Sequence, residues 1–107
     1  MTITIYGIKT CDTCRKALKA LPEAEFRDIR TAPLNDDERT EFLDAFGASL
    51  INRASTTWRG LAENERANPA ESLLATYPTL MKRPVIRVED RLYLGWKADT
   101  RSALGIG

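Results

Sequence analysis

Residues 2–22 read TITIYGIKTCDTCRKALKALP and carry the main signals of the fold. Residues 2–6 alternate β-branched and aromatic side chains and then meet Gly7, which is typical of a short strand followed by a turn. From Cys11 onward, apolar residues recur every three or four positions, as in an amphipathic helix, and Pro22 ends the pattern. The segment therefore predicts a strand, a loop and a helix, with two cysteines where the helix begins.

The rest of the chain continues this α/β pattern with short elements separated by Pro and Gly. We predict a strand at 25–30, a helix capped by Asn35 or Asp36 and closed by Gly47, short helices over 50–81, a strand at 85–88 after Pro84, a turn at Asp90-Arg91, a strand at 92–94 and a helix at 97–104. The order β-α-β, helical insert, β-β-α is that of a thioredoxin-like fold with a mixed four-stranded sheet. We expect a single domain over residues 1–107.

Composition limits the classes of function. The 107 residues are 43% hydrophobic and 29% charged, which favours a packed globular domain. The net charge of +1 gives no overall field toward nucleic acid or membrane, so we expect neither as a partner. Any anion site must therefore be local.

Histidine is absent from the sequence, which removes His-based catalysis and His-ligated zinc. Two cysteines cannot fill a four-ligand zinc site within one chain, so we expect no metal. The N-terminus lacks a signal-peptide pattern, and no run approaches the ~18 apolar residues of a membrane span. These features predict a soluble cytoplasmic protein, where a close cysteine pair favours catalysis over a structural disulfide.

Cys11 is the candidate nucleophile because a helix N-terminus favours an anion and lowers a thiol pKa. Lys9 and Arg15 add positive charge nearby, and they are candidates for binding an anionic substrate. Asp12 opposes them, although a first-turn carboxylate also suits the helix end. The Thr10 hydroxyl is predicted to cap the helix and to orient Cys11.

Cys14 lies one helical turn after Cys11 on the same face, which suits a resolving thiol that closes a disulfide. Its place on the apolar stripe equally fits a small core residue. A half metal site shared across a dimer is a third interpretation. The spacing alone leaves these alternatives open.

Four landmarks give the sequence a family resemblance: YGIKTCDTCRKA at 6–17, TTWRGL at 56–61, KRP at 82–84 and LGW at 94–96. Together they resemble the arsenate reductase-like (ArsC/Spx) family, and most of all its short YffB-type branch. The resemblance runs over essentially the whole chain. It implies a thioredoxin-like domain with a helical insert and a nucleophilic cysteine in the first loop, the position of Cys11.

The resemblance also implies an oxyanion site. In the family's arsenate reductases the thiolate attacks bound arsenate, glutathione reduces the adduct, and glutaredoxin completes the cycle. Arg83 matches one anion-binding arginine, Pro84 is expected to be cis, and Arg53 matches a second arginine. A third arginine has no secure counterpart, with Lys97 and Arg101 as candidates.

The leading hypothesis is a thiol–disulfide oxidoreductase, either a glutathione-dependent thiol reductase or an arsenate reductase-like enzyme. We expect a monomer with no bound cofactor, glutathione as co-substrate and glutaredoxin as a partner. The alternative is an Spx-type regulator that binds the C-terminal domain of the α subunit of RNA polymerase and uses the cysteine pair as a redox switch. An inactive relative is a third possibility, supported by the missing third arginine.

Overall fold

A computed structural model describes residues 2–105. Contacts within the chain group into two compact units, one made of the residues up to Ile29 and from Arg83 onward, the other of Arg30–Lys82. The single domain over 1–107 stays a prediction, and its two bounds lie outside the described residues.

The helices and strands follow the predicted order. In chain order they are β1 (Ile3–Gly7), α1 (Asp12–Ala20), β2 (Glu25–Asp28), α2 (Asp36–Phe46), α3 (Thr56–Arg59), α4 (Glu63–Arg66), α5 (Ala70–Thr76), β3 (Val85–Val88), β4 (Arg91–Leu94) and α6 (Ala98–Ala103). Short 3-10 helices at Gly47–Leu50 and Pro78–Leu80 complete the set. No helix within residues 2–105 has the length and apolar character needed to cross a membrane.

The first unit contains a four-stranded sheet in the order β2-β1-β3-β4. Strand β1 pairs parallel with β2 and antiparallel with β3, and β3 pairs antiparallel with β4. The predicted mixed sheet is therefore confirmed. Because β1 is central, the loop that follows it begins at the middle of the sheet's edge, next to the end of β2.

A small apolar core joins α1 to this sheet. Ile5 and Ile86 face each other across β1 and β3 and are fully buried. Ala17 of α1 and Leu21, the C-cap residue of that helix, pack on them. Burying such side chains contributes roughly 1.5–3 kcal/mol each. The packing fixes the axis of α1, and hence the position of its first turn, relative to the central strand.

The second unit is the helical insert that the sequence predicts. Asn35 caps α2 in a capping box: its side chain accepts from the Glu38 N–H at 2.8 Å, and Glu38 accepts from the Asn35 N–H at 2.9 Å. Phe42 anchors the same helix and is fully buried. An isolated bridge between Ile51 and Met81, which the sequence did not predict, joins the two ends of the segment that holds α3 to α5.

Several boundaries differ from the prediction by one or two residues, including those of α6, which spans Ala98–Ala103 instead of 97–104. Strand β2 ends at Asp28 instead of residue 30, although the Ile29 N–H still donates to the Gly7 carbonyl at 2.9 Å. The hairpin turn is Glu89–Asp90, one residue earlier than predicted, so Arg91 already belongs to β4. Glu89 takes a positive φ of 57°, a conformation more typical of Gly or Asn, and so carries no turn signal in sequence.

Candidate active site

Cys11 occupies the N-cap position of α1, with extended backbone angles of φ −84° and ψ 122°. Its N–H donates to the Ile8 carbonyl at 3.0 Å, which closes the loop after β1. Its own carbonyl accepts the Arg15 N–H at 3.0 Å and starts the helix. The cysteine therefore lies at the positive end of the helix dipole, as the sequence predicted.

The predicted cap by Thr10 is wrong. Thr10 lies in the exposed turn that precedes Cys11, and α1 has Cys11 as its N-cap with no side-chain cap hydrogen bond. Because the chain enters the helix one residue later than a Thr10 cap requires, the first-turn N–H groups are directed at the sulfur of Cys11. The backbone N–H groups of Thr13 and Cys14, in that first turn, act to lower the pKa of the Cys11 thiol.

The pKa of Cys11 is lower than that of an ordinary thiol. Partial burial acts to raise it, but the Cys14 backbone N–H, the Cys14 side chain, the charge of Arg83 and the Thr13 backbone N–H together outweigh burial. All four favour the thiolate, which is the nucleophilic form of cysteine. The site is thus built to hold a sulfur anion at residue 11.

Cys14 has the opposite character. It is fully buried, and burial together with the hydrogen bond and the charge of Cys11 raises its pKa to about 12. Cys14 therefore keeps its proton at neutral pH and donates it toward the Cys11 thiolate. The pair divides into one ionised and one protonated sulfur, a pattern that assigns different roles to the two residues.

Arg83 is the cation whose charge acts on both sulfurs, lowering the pKa of each. It is half-buried and directly precedes Pro84, and the peptide bond between them is cis, as expected. The next residue, Val85, begins β3 opposite Tyr6 of β1. The sheet therefore holds Arg83 at the same edge from which the cysteine loop leaves β1.

Lys9 and Arg15 border the same loop and are both exposed. The Arg15 Nε donates to the Lys9 carbonyl at 2.9 Å, and its Nη1 lies 3.7 Å from an Asp12 carboxylate oxygen. An exposed ion pair of this kind contributes little to stability. Anion binding by these two residues stays a prediction.

Arg53 belongs to the second unit, in the segment before α3, and is exposed. Its guanidinium lies 5.3 Å from the centre of the Trp58 ring, and Arg66 lies 5.5 Å from the same ring. Both distances fit cation–π contacts. The structure gives Arg53 this aromatic neighbour, while its role as an anion ligand stays a prediction.

Of the two candidates for the third arginine, Lys97 is the exposed N-cap residue of α6 and makes no side-chain cap hydrogen bond. Arg101 lies within α6, and its Nε is buried without a hydrogen-bond partner among residues 2–105. A buried unpaired donor costs about 1–3 kcal/mol. The role of either residue as the third anion ligand stays a prediction.

Sequence reasoning missed two residues that shape the cysteine loop. Asp28 ends β2, is only 6% exposed, and accepts the Lys9 N–H on its Oδ2 at 3.1 Å. Gly7 ends β1 directly against Cys14. The burial of Asp28 could have been predicted, because the alternating pattern of β2 places it on the same face of the strand as Phe26.

A mixed four-stranded thioredoxin-like sheet, with a cysteine pair at the start of α1 and an Arg–cis-Pro step before β3, defines an arsenate reductase-like class of thiol protein. The chain belongs to the ArsC family, whose model matches residues 6–104. The family that the sequence landmarks suggested is confirmed.

Three similar proteins span nearly the whole chain. A solved structure of a protein named YFFB superimposes with a TM-score of 0.81 at 31% identity, covering 95% of this chain and 97% of that one. An arsenate reductase (ArsC) related protein from Brucella melitensis gives 0.75 at 36% identity, with coverage of 96% and 93%. The global transcriptional regulator Spx of Bacillus subtilis is 31% identical over 107 aligned residues, which cover 91% of this chain and 82% of the regulator.

Proposed function

We propose that this protein is a glutathione-dependent thiol–disulfide oxidoreductase with the Cys11 thiolate as its nucleophile. The observation that carries the proposal is the division of the cysteine pair: the pKa of Cys11 is lowered, whereas that of Cys14 is raised to about 12. A preformed thiolate next to a protonated thiol suits nucleophilic attack on sulfur. The arsenate reductase-related protein at 36% identity supports the same class of chemistry.

The proposed substrate is a mixed disulfide between glutathione and another thiol. The Cys11 thiolate attacks the glutathione sulfur, so a Cys11–glutathione disulfide forms and the substrate sulfur leaves with the electron pair as a thiolate. A second glutathione, as its thiolate, attacks that intermediate. Oxidised glutathione leaves, and Cys11 returns to its thiolate form.

Glutathione resolves this intermediate better than Cys14. Cys14 is fully buried and keeps its proton to high pH, so it offers little thiolate for attack. Its proposed role is to donate a hydrogen bond to Cys11, both before attack and when Cys11 departs as the leaving group. Arg83 is suited to pair with one of the two glutathione carboxylates, since guanidinium binds carboxylate in a bidentate manner.

The test is glutathione-coupled reduction of a small glutathione mixed disulfide. Cys11→Ser should abolish the reaction, Cys14→Ser should retain most of it, and Lys16→Ala on the exposed face of α1 serves as the control. Full activity in Cys11→Ser would contradict the proposal. The same assay with arsenate in place of the disulfide tests whether an oxyanion is also a substrate.

A second candidate is an Spx-type regulator, favoured by the 31% identity to the Bacillus subtilis regulator. In that case a disulfide between Cys11 and Cys14 would switch binding to the C-terminal domain of the α subunit of RNA polymerase. A pull-down with that domain, using the reduced and the oxidised protein, separates the two functions. Binding in one redox state only, together with no disulfide reduction, would favour the regulator.

The enzyme proposal carries further expectations. The protein works as a monomer in a reducing cytoplasm, without a bound cofactor, and passes oxidising equivalents to glutathione or glutaredoxin. It needs no nucleic acid and no membrane. Size-exclusion chromatography at micromolar concentration tests the monomer directly.

A further inference from the structure

Asp28 is a buried carboxylate at the base of the cysteine loop. Its residue is 6% exposed, although a charged group this well buried is costly unless it is hydrogen-bonded. Its Oδ2 accepts the backbone N–H of Lys9 at 3.1 Å. This contact reaches across 19 positions of the chain, from the end of β2 to the loop after β1.

The hydrogen bond between Asp28 and Lys9 lies where the chain leaves β1 and enters the cysteine loop. Gly7 pairs with Asp28 in the last register position of the parallel β1–β2 ladder. The chain then leaves the sheet through residues 8–10, and the Cys11 N–H returns to the Ile8 carbonyl at 3.0 Å. The Lys9 N–H lies in the middle of that turn, so the Asp28 carboxylate ties the turn to the sheet.

We propose that Asp28 is a positioning residue: by holding the Lys9 N–H it fixes the loop at 8–10 and thereby places the Cys11 sulfur against the first-turn N–H groups of α1. The inference rests on the proposed function in that Cys11 is the reactive sulfur. In this role Asp28 acts on Cys11 through the loop.

The hydrogen bond that Asp28 accepts from Lys9 and the negative charge of Asp28 have opposite effects on the Cys11 pKa. The positioning role can therefore be tested. The negative charge of a carboxylate disfavours a nearby thiolate, so removing only the charge leaves the Cys11 pKa unchanged or lowers it. Removing the hydrogen-bond acceptor loosens the loop, weakens the N–H contacts to sulfur and raises the pKa. An asparagine keeps an acceptor oxygen without the charge, whereas an alanine keeps neither.

The experiment is the pH dependence of iodoacetamide alkylation at Cys11, followed by mass spectrometry, in the wild type, Asp28→Ala and Asp28→Asn. Glu25→Ala is the matched control, because Glu25 is an exposed carboxylate on the same strand. We expect Asp28→Ala to raise the alkylation midpoint by at least about half a pH unit, which is roughly threefold less thiolate at fixed pH below the midpoint. Asp28→Asn should stay at or below the wild-type midpoint, and Glu25→Ala should match the wild type.

The results separate this inference from the proposed function. An ordinary Cys11 pKa in the wild type would contradict the proposed function itself. Two results would overturn only the positioning role, provided that the Cys11 pKa of the wild type is low. In the first, Asp28→Ala leaves this pKa unchanged or lowers it. In the second, both Asp28 variants raise it equally. If Asp28→Ala does not fold, Asp28→Val takes its place, and amide exchange of Lys9 in the wild type provides a second measurement. Exchange as fast as that of the neighbouring Thr10 amide would overturn the inference.

Discussion

The Sγ of Cys14 lies 2.4 Å from the point that a Cβ on residue 7 would occupy, and the Cβ of Cys14 lies 3.2 Å from it. Gly7 is therefore required for space and not for a special φ. Its missing side chain lets the first turn of α1 approach the end of β1. That approach places the Cys14 thiol beneath the loop that carries Cys11.

Gly7→Ala should destabilise the fold by about 1–3 kcal/mol, since the new methyl group overlaps a fully buried sulfur. The displaced Cys14 thiol no longer donates to Cys11, so the Cys11 pKa should rise as well. Urea unfolding and the alkylation pH profile measure the two effects.

Gly60→Ala is the matched control for this prediction. At residue 60 an added Cβ meets no atom closer than the Thr56 carbonyl at 3.5 Å, so the change should cost less than about 0.5 kcal/mol. A smaller cost of Gly7→Ala in a Cys14→Ala background would confirm the sulfur as the obstacle. Equal costs in both backgrounds would contradict this explanation.

Sequence reasoning predicted most of the fold because the elements carry strong local signals. The strand before Gly7, the helix after Cys11 and the cap at Asn35 each depend on periodicity or on a specific capping residue. The hairpin turn was predicted one residue too late, because the positive φ falls on Glu89, a residue type that rarely adopts it.

The candidate site was only partly predictable. The position of Cys11 followed from the order of strand, loop and helix, and the cis bond before Pro84 followed from the family resemblance. The roles of Gly7 and Asp28 depend on contacts between β1, β2 and α1 that form only in the folded sheet. A single sequence gives residue types and spacing, and these do not show which residues of different strands and helices come into contact.

Replacing Cys14 should separate hydrogen bonding from disulfide formation. Cys14→Ser keeps a donor of similar size, so the Cys11 pKa should stay low and reduction of a glutathione mixed disulfide should continue. Cys14→Ala removes the donor, so the Cys11 pKa should rise toward its ordinary value. If Cys14→Ser instead abolished turnover while alkylation of Cys11 stayed normal, Cys14 would be the resolving thiol and glutathione would not.

Arg83→Gln should raise the Cys11 pKa, because the positive charge that favours the thiolate is lost. Arg83→Lys keeps the charge and should keep the pKa low, but it loses bidentate contacts and should raise the KM for an anionic substrate. Arg15→Gln provides a comparison at an exposed arginine of α1. A Cys11 pKa that moves in Arg15→Gln and not in Arg83→Gln would contradict the assignment.

The raised pKa of Cys14 predicts a loss of stability at alkaline pH. In the unfolded chain this thiol loses its proton near the ordinary pKa of cysteine, whereas in the folded protein burial raises the pKa to about 12. Its contribution to stability is therefore complete below pH 9 and falls as the pH rises toward 12, by up to about 1.4 kcal/mol per pH unit. Urea unfolding between pH 8 and 10.5, compared with Cys14→Ala, should show a difference that shrinks with pH. A constant difference would contradict the raised pKa.

Iodoacetamide alkylation of Cys11 as a function of pH, followed by mass spectrometry with and without glutathione or arsenate, tests whether Cys11 is a reactive thiolate. If Cys11 is a reactive thiolate, the midpoint lies below the ~8.5 of an unperturbed cysteine, and glutathione protects the residue from alkylation. Cys14 should remain unmodified across the same range because it is buried and protonated. An ordinary midpoint for Cys11, without protection by either anion, would contradict the account.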